Sequence, residues 1–124
     1  MGPMRPVFDT NILIDYLAGK QPAKDELDRY PQPRISVITW IEVMVGASDK
    51  SEETNIREFL NSFETVPLDE HVAETAVRLR RQHRLKLPDT LIWATAKTRE
   101  SLLITRNTRD YPAGEPDIRF PYSL

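Results

Sequence analysis

Apolar positions fall along this chain in two alternating rhythms. Short continuous runs, Pro6-Val7-Phe8, Arg34-Ile35-Ser36-Val37-Ile38, Thr65-Val66, Leu102-Leu103-Ile104-Thr105 and Asp117-Ile118-Arg119-Phe120, are too brief for helices and read as strands. Between them the apolar residues recur at helical spacing. Ile12 to Leu17 reads as a helix stopped at Gly19, and Pro22 opens a more polar helix that is stopped by Pro31 and Pro33. Trp40 to Ala47 follows the second strand, and Ser51 to Phe63 carries Ile56, Phe59, Leu60 and Phe63 on one face. Asp69 caps a further helix that runs to Arg84, and Pro88-Asp89 opens another over Thr90 to Arg99. Strands alternating with helices predict an α/β fold, a three-layer α/β/α sandwich whose mainly parallel sheet is covered on both faces.

Length and composition narrow this picture to one folded domain. A chain of 124 residues is the size of a single domain, and no repeat or linker divides it. Within the span 1–124, residues 1–5 are expected to be a flexible or vector-derived start, with Met4 as the natural initiator. Hydrophobic residues at 40% and charged residues at 29% exclude a disordered chain. With 17 basic and 19 acidic residues the net charge is -2, so a polyanion would have to be held by a local patch or a metal rather than by global charge. The absence of cysteine excludes disulfides, zinc–thiolate sites and thiol catalysis, and His71 and His83 are too few for a histidine-rich metal site. No apolar run is long enough to span a bilayer, and the N-terminus lacks the apolar core of a signal peptide, so a cytoplasmic location and no membrane partner are expected.

Candidate chemistry lies at the edges of the apolar segments. In open α/β sheets ligands bind beyond the carboxyl ends of the strands. Asp9 follows the first strand, and Glu42 lies one turn into the helix after the second. Asp110 sits in the turn after Leu102–Thr105, and Asp89 opens the helix that feeds that strand. Each acid has a plainer reading. Asp9 and Asp89 stand where helix N-caps are wanted, Glu42 completes a T-x-x-E capping box with Thr39, and Asp110 suits a turn. If the first and fourth strands are neighbours, however, the four carboxylates converge, and such a group repels itself unless a cation neutralises it.

Positive charge is concentrated near the same edge. Arg78, Arg80, Arg81, Arg84 and Lys86 lead toward Asp89, and Arg106 and Arg109 flank the last acidic segment, better placed to meet a phosphate. The alternative for the first group is a solvated helix end whose cations favour the helix dipole. His83 reads as a surface residue rather than a general base. Trp40 and Trp93 lie within apolar helical patterns, which favours core packing over stacking on a base.

Four segments, taken in order, carry a resemblance. Val7-Phe8-Asp9-Thr10-Asn11, Ser36 to Gly46 around Glu42, Pro88-Asp89-Thr90-Leu91-Ile92-Trp93-Ala94-Thr95-Ala96, and Leu103 to Tyr111 resemble the four motifs of PIN-domain ribonucleases, most of all the small VapC toxins of type II toxin–antitoxin pairs. Tyr111 stands where a Phe is usual and Trp93 where a small residue is common. The resemblance implies a metal-dependent endoribonuclease, with Asp9, Glu42, Asp89 and Asp110 as its acidic set and Mg2+ or Mn2+ as its cofactor. Asp9 and Asp89 would be the direct ligands, while Glu42 and Asp110 would act through water. Thr105 and Asn107 fall on polar positions of the last motif. Thr10 and Asn11 either orient the acids or are ordinary helix-start residues. Arg106, Arg109, Arg84 and Lys86 are the candidates for substrate phosphate. The implied partners are RNA, with tRNA or another structured RNA as the type, a VapB-like antitoxin that blocks the site with a basic side chain, and a second copy in a homodimer. Other readings are a PIN nuclease of RNA processing, a non-catalytic PIN-like scaffold and a phosphoacceptor receiver domain. A scaffold would have lost acids, and none is missing. A receiver wants adjacent acids after the first strand and a lysine after a later one, whereas Asp9 is followed by Thr10-Asn11 and Thr105 by Arg106.

Overall fold

A computed structural model describes residues 4–124. The expected vector-derived residues 1–3 lie outside the described residues, whereas Arg5, assigned to the same loose start, is held by Glu64 at 2.8 Å. Five short strands, β1 (Val7–Phe8), β2 (Arg34–Ser36), β3 (Glu64–Val66), β4 (Leu103–Ile104) and β5 (Ile118–Arg119), form one sheet in the order β3-β2-β1-β4-β5. Every pairing is parallel. Parallel neighbours require crossovers, and α1 (Thr10–Leu17), α2 (Gln21–Asp28), α3 (Val37–Val45), α4 (Lys50–Leu60), α5 (Glu70–Gln82) and α6 (Leu87–Thr98) supply them. The last connection, from β4 to β5, contains no helix. It is a loop, and it carries the Thr105–Asp110 segment across the strand ends.

Strand periodicity divides the core between the two faces of the sheet. Val7 and Leu103 point to one side, where they pack with Val72, Ala76 and Leu79 of α5 and with Ile92 and Trp93 of α6. Phe8 and Ile104 point to the other, against Ile12 and Leu13 of α1, Val43 of α3 and Leu60 of α4. All four of these strand residues are fully buried, which explains why the strands read as unbroken apolar runs rather than alternating ones. The three-layer sandwich expected from the sequence is the fold observed. Trp93 is also fully buried. Its Nε1 donates to Asp117 at 3.0 Å and the His83 ring lies 5.1 Å from its own, so both residues belong to packing.

Local boundaries differ from expectation where a cap outcompetes β-propensity. The run Arg34 to Ile38 was expected to be all strand, but Ser36 Oγ accepts the Ile38 N–H at 3.0 Å and turns Val37 into the first residue of α3. Asp49 and Asp69 cap α4 and α5 in the same manner, accepting from Glu52 N at 2.8 Å and Val72 N at 2.9 Å. Gly19, at φ +81°, ends α1 in the left-handed region that glycine enters without strain. Among the described residues no helix is long and apolar enough to cross a membrane.

Candidate functional site

The strand order reverses between β1 and β4, so the connections that leave them, α1 from β1 and the helix-free loop from β4, diverge and leave a crevice at the carboxyl ends. Pairing of Val7 with Leu103 and of Phe8 with Ile104 brings the next residues, Asp9 and Thr105, side by side in that crevice. Thr105 Oγ1 donates to Asp9 Oδ2 at 2.7 Å, and Asn11 Nδ2 donates to the same oxygen at 3.2 Å and to Thr105 Oγ1 at 3.1 Å. Asp9 Oδ1 accepts the Thr10 N–H at 2.8 Å. Asp9 therefore caps α1 and is also the buried centre of the acidic group, with 3% of its surface exposed.

The other three acids reach this point from separate elements. Glu42 is on the exposed side of α3, and its Oε1 accepts from Thr10 Oγ1 at 2.6 Å. Because Ser36 caps α3, Thr39 lies inside the helix and the Thr39–Glu42 capping box does not form. Thr39 is instead completely buried, with its hydroxyl 3.0 Å from that of Thr10. Asp89 sits in the first turn of α6 without capping it, because the N-cap position belongs to Lys86. Among the described residues no donor reaches the Asp89 carboxylate. Its main-chain carbonyl accepts the Tyr111 hydroxyl at 3.1 Å, which ties α6 to the β4–β5 loop. Asp110 and Asn107 hold each other: Asn107 Nδ2 donates to Asp110 Oδ2 at 3.0 Å, and the Asp110 N–H donates to Asn107 Oδ1 at 3.1 Å. Asp110 is thus a turn residue, as its plainer reading proposed, and it also faces Asp89 closely enough to repel its charge.

These carboxylates carry a shared electrostatic cost. Burial pushes Asp9 up to about 6 against the hydrogen bonds from Thr105 and Thr10, and the charges of Asp89 and Glu42 push in the same direction. Burial also raises Asp89 above its ordinary value, as do Asp110 and Glu42, while Lys86 opposes them. The Tyr111 phenol, buried and close to three of the acids, is held protonated well beyond its usual range. Among the described residues none of the four acids forms a salt bridge. Hard oxygen donors without a protein cation are the donor set that a divalent ion such as Mg2+ or Mn2+ takes. No three of them, among the described residues, are close enough around one point to hold an ion by themselves. This suits an ion that keeps several waters and shares substrate oxygens better than one caged wholly by protein.

The structure gathers Thr10, Asn11, Thr105 and Asn107 into the same network, and it gives Arg106 a carboxylate partner outside the four acids. That guanidinium is turned away from the acids onto Asp15, with Nε at 2.6 Å and Nη2 at 2.9 Å from the two carboxylate oxygens. The two-pronged pair commits Nε and Nη2 to Asp15, while a third of the side chain stays exposed along the cleft it shares with Arg109. Arg109 is exposed and lines an open cleft of about 450 Å³ with Asn11, Asn107 and Asp110. Arg84 and Lys86 are exposed on the approach to Asp89. Three residues of the network escaped the sequence reading. Thr39 was visible only as a cap, and Asp15 was a lone charge within the apolar run Ile12–Leu17, a signal that burial made meaningful. Tyr122, whose hydroxyl donates to Asp15 at 2.8 Å, had no local signal.

Comparisons with known proteins identify the family of this fold. Residues 7–113 match the PIN domain family. Ribonuclease VapC10 of Mycobacterium tuberculosis is 35% identical over 126 aligned positions, which cover 95% of this chain and 93% of that protein. A chain of a toxin–antitoxin complex from Klebsiella pneumoniae superposes with a TM-score of 0.91 at 46% identity, covering 96% of this chain and 99% of that one. At 19% identity, a chain of VapBC2 from Rickettsia felis, bound to a DNA fragment from its promoter, shares the fold with a TM-score of 0.76 over 93% of this chain and 96% of that one. The chain belongs to the PIN-domain family and, within it, to the VapC ribonucleases, which are metal-dependent hydrolases.

Proposed function

We propose that this chain is the toxin of a toxin–antitoxin pair, an endoribonuclease that hydrolyses RNA at the Asp9–Glu42–Asp89–Asp110 cluster with Mg2+ or Mn2+. One observation carries the reading: carboxylates from separate elements gather at the β1/β4 crevice closely enough to raise one another's pKa, and among the described residues none of the four is in a salt bridge. A protein gains nothing in stability from such an arrangement, which is a reason to look for its use elsewhere. Asp9 and Asp89 are the residues to hold the ion directly, since Asp9 is buried in the crevice and, among the described residues, no donor occupies the Asp89 carboxylate. Glu42 and Asp110 are placed to act through water. A divalent ion bound there would lower the pKa of attacking water and offset charge on the phosphate.

The chain's own groups supply the remaining requirements. Thr10 holds Glu42 through Oε1, so that Oε2 is left to accept a hydrogen bond from the attacking water and set its direction. Thr105 and Asn11 fix Asp9, and Asn107 fixes Asp110. Arg109, Arg84 and Lys86 are the cations available to receive RNA phosphates, and cleavage would leave a 5′-phosphate and a 3′-hydroxyl. A structured RNA, of which tRNA is one type, is the proposed substrate. The partner that silences the site is a VapB-like antitoxin presenting a basic side chain, because an unbalanced carboxylate cluster attracts a guanidinium as well as a metal. An apolar groove of about 440 Å³ between α1 and α4, lined by Ile14, Leu17, Val43 and Ile56, is a surface for its remaining length. Ile41 and Val45, 48% and 77% exposed on α3, are the apolar residues offered for a homodimer.

The decisive assay incubates the purified protein, free of partner, with structured RNAs in Mg2+ or Mn2+ and then in chelator. Cleavage should require the ion and disappear in Asp9→Asn and Asp89→Asn. Cleavage that persists in chelator, or in either variant, would overturn the mechanism.

A further inference from the structure

The Arg106 guanidinium is held by Asp15, and the main chain of that residue lies within the site. Asn11 and Asp15 are four residues apart and therefore share one face of α1. The segment after β4 is fastened along that face at successive points. Thr105 Oγ1 accepts from Asn11 Nδ2, the Arg106 N–H donates to Asn11 Oδ1 at 3.1 Å, and the Arg106 guanidinium grips Asp15. Asp15 is itself held from the far end of the chain by the Tyr122 hydroxyl. Burial and the Asp15 carboxylate keep that phenol protonated, and so a donor.

Asn11 is the joint between this clamp and the acids. Its amide has one donor end and one acceptor end, and each is committed: Nδ2 to Asp9 Oδ2 and Thr105 Oγ1, Oδ1 to the Arg106 N–H. Were the Arg106 main chain to move away, Oδ1 would lose its donor and the amide could turn, bringing an oxygen against the Asp9 carboxylate in place of a donor. The side-chain pair with Asp15 prevents this by fixing where Arg106 lies. We propose that Asp15 and Tyr122 are positioning residues of the acidic site, anchoring Arg106 so that its main-chain N–H keeps the Asn11 amide directed at Asp9. The last residues of the chain thereby help to set the geometry of the first catalytic acid. This rests on the metal-binding reading of the crevice given above.

Direct measurement of Mn2+ affinity by calorimetry, without RNA, tests it in the full chain. Arg106→Lys keeps the charge but loses the two-pronged grip, and Tyr122→Phe removes one hydrogen bond while leaving the ring. Affinity should fall about tenfold in Arg106→Lys, the low end for residues that orient metal ligands from behind, and about threefold in Tyr122→Phe, both below their unfolding temperatures. The effect should depend on Asn11: in an Asn11→Ala background, Arg106→Lys should change Mn2+ affinity less than about twofold. A merely structural clamp would lower the unfolding temperature and leave the affinity of the folded protein alone. Unaltered affinity in both variants, or a full tenfold loss that persists without Asn11, overturns the positioning role. If the unaltered protein binds no Mn2+, the metal-site reading falls and the positioning role falls with it, a result separable from the first because it appears before any substitution is made.

Discussion

Three carboxylates lie at almost the same depth in this protein and are treated in opposite ways. Asp15 and Glu26 are each 5% exposed, and each is gripped at two points by an arginine, Arg106 and Arg119, at 2.6 to 3.0 Å. Asp9, 3% exposed, has only neutral donors, and the charged groups acting on it are other acids. Depth therefore does not distinguish a carboxylate committed to an ion pair from one proposed to bind a metal. The presence or absence of a compensating cation does, because a buried ion pair repays part of its desolvation whereas an unpaired charge keeps that cost until something mobile, a metal or a basic partner, is bound.

The contrast can be broken most sharply through activity. Asp9→Asn should reduce RNA cleavage by at least about a hundredfold, the scale on which a charge aimed at the reacting centre matters, whereas Glu26→Gln should leave the rate of the folded protein within about twofold. Measured single-turnover rates at saturating Mg2+ would show it, and an equal loss in both variants would end the distinction.

Stability should change in the reverse direction. The folded-state value for Asp9, about 6, lies above its usual 3.8, so the folded protein holds this proton more tightly than the unfolded chain. Its favourable contribution is complete below about pH 3.8 and is lost as pH rises through about 6, a cost of about 3 kcal/mol at neutral pH in metal-free protein. Relative to Asp9→Asn, the parent should therefore become less stable as pH rises from about 4 to about 6.5 in denaturant titrations and level off above that, and saturating Mn2+ should reverse the trend. A difference that is flat with pH would show that Asp9 pays no such cost.

Glu26→Gln should lower stability at pH 7 by about 2 kcal/mol, through loss of charged hydrogen bonds to an arginine that can still turn to water because a third of its side chain is exposed. At the small end, Glu53→Gln, which removes the exposed pair with Arg57 at 3.2 Å, should change stability by less than about 0.5 kcal/mol. Thermal melts of the two variants side by side would sharpen the point that pairing matters where water is excluded.

How much of this was legible in the chain depended on the range of the interaction. Gly19, Pro22, Asp69 and the run Leu102–Thr105 announced their elements because caps, breakers and short apolar runs act within a few residues. Thr39 misled for a related reason: two caps competed locally, and Ser36, three residues earlier, began the helix. Arg106 is a different case. From its neighbours it was a cation beside an acidic motif, and its actual partner is 91 residues away.

By itself the sequence determined the kinds and order of the elements and the three-layer class, and it offered the four acids as candidates, since each follows from local periodicity, capping chemistry or ordered motifs. Only the tertiary structure decided that β1 lies beside β4, that Asp9 is buried without a cation while Asp15 and Glu26 are buried with one, and that the Tyr122 hydroxyl meets Asp15. Those outcomes depend on which distant groups meet when the parallel sheet closes its core, because the free energy of a buried charge is set by the partners that packing brings to it.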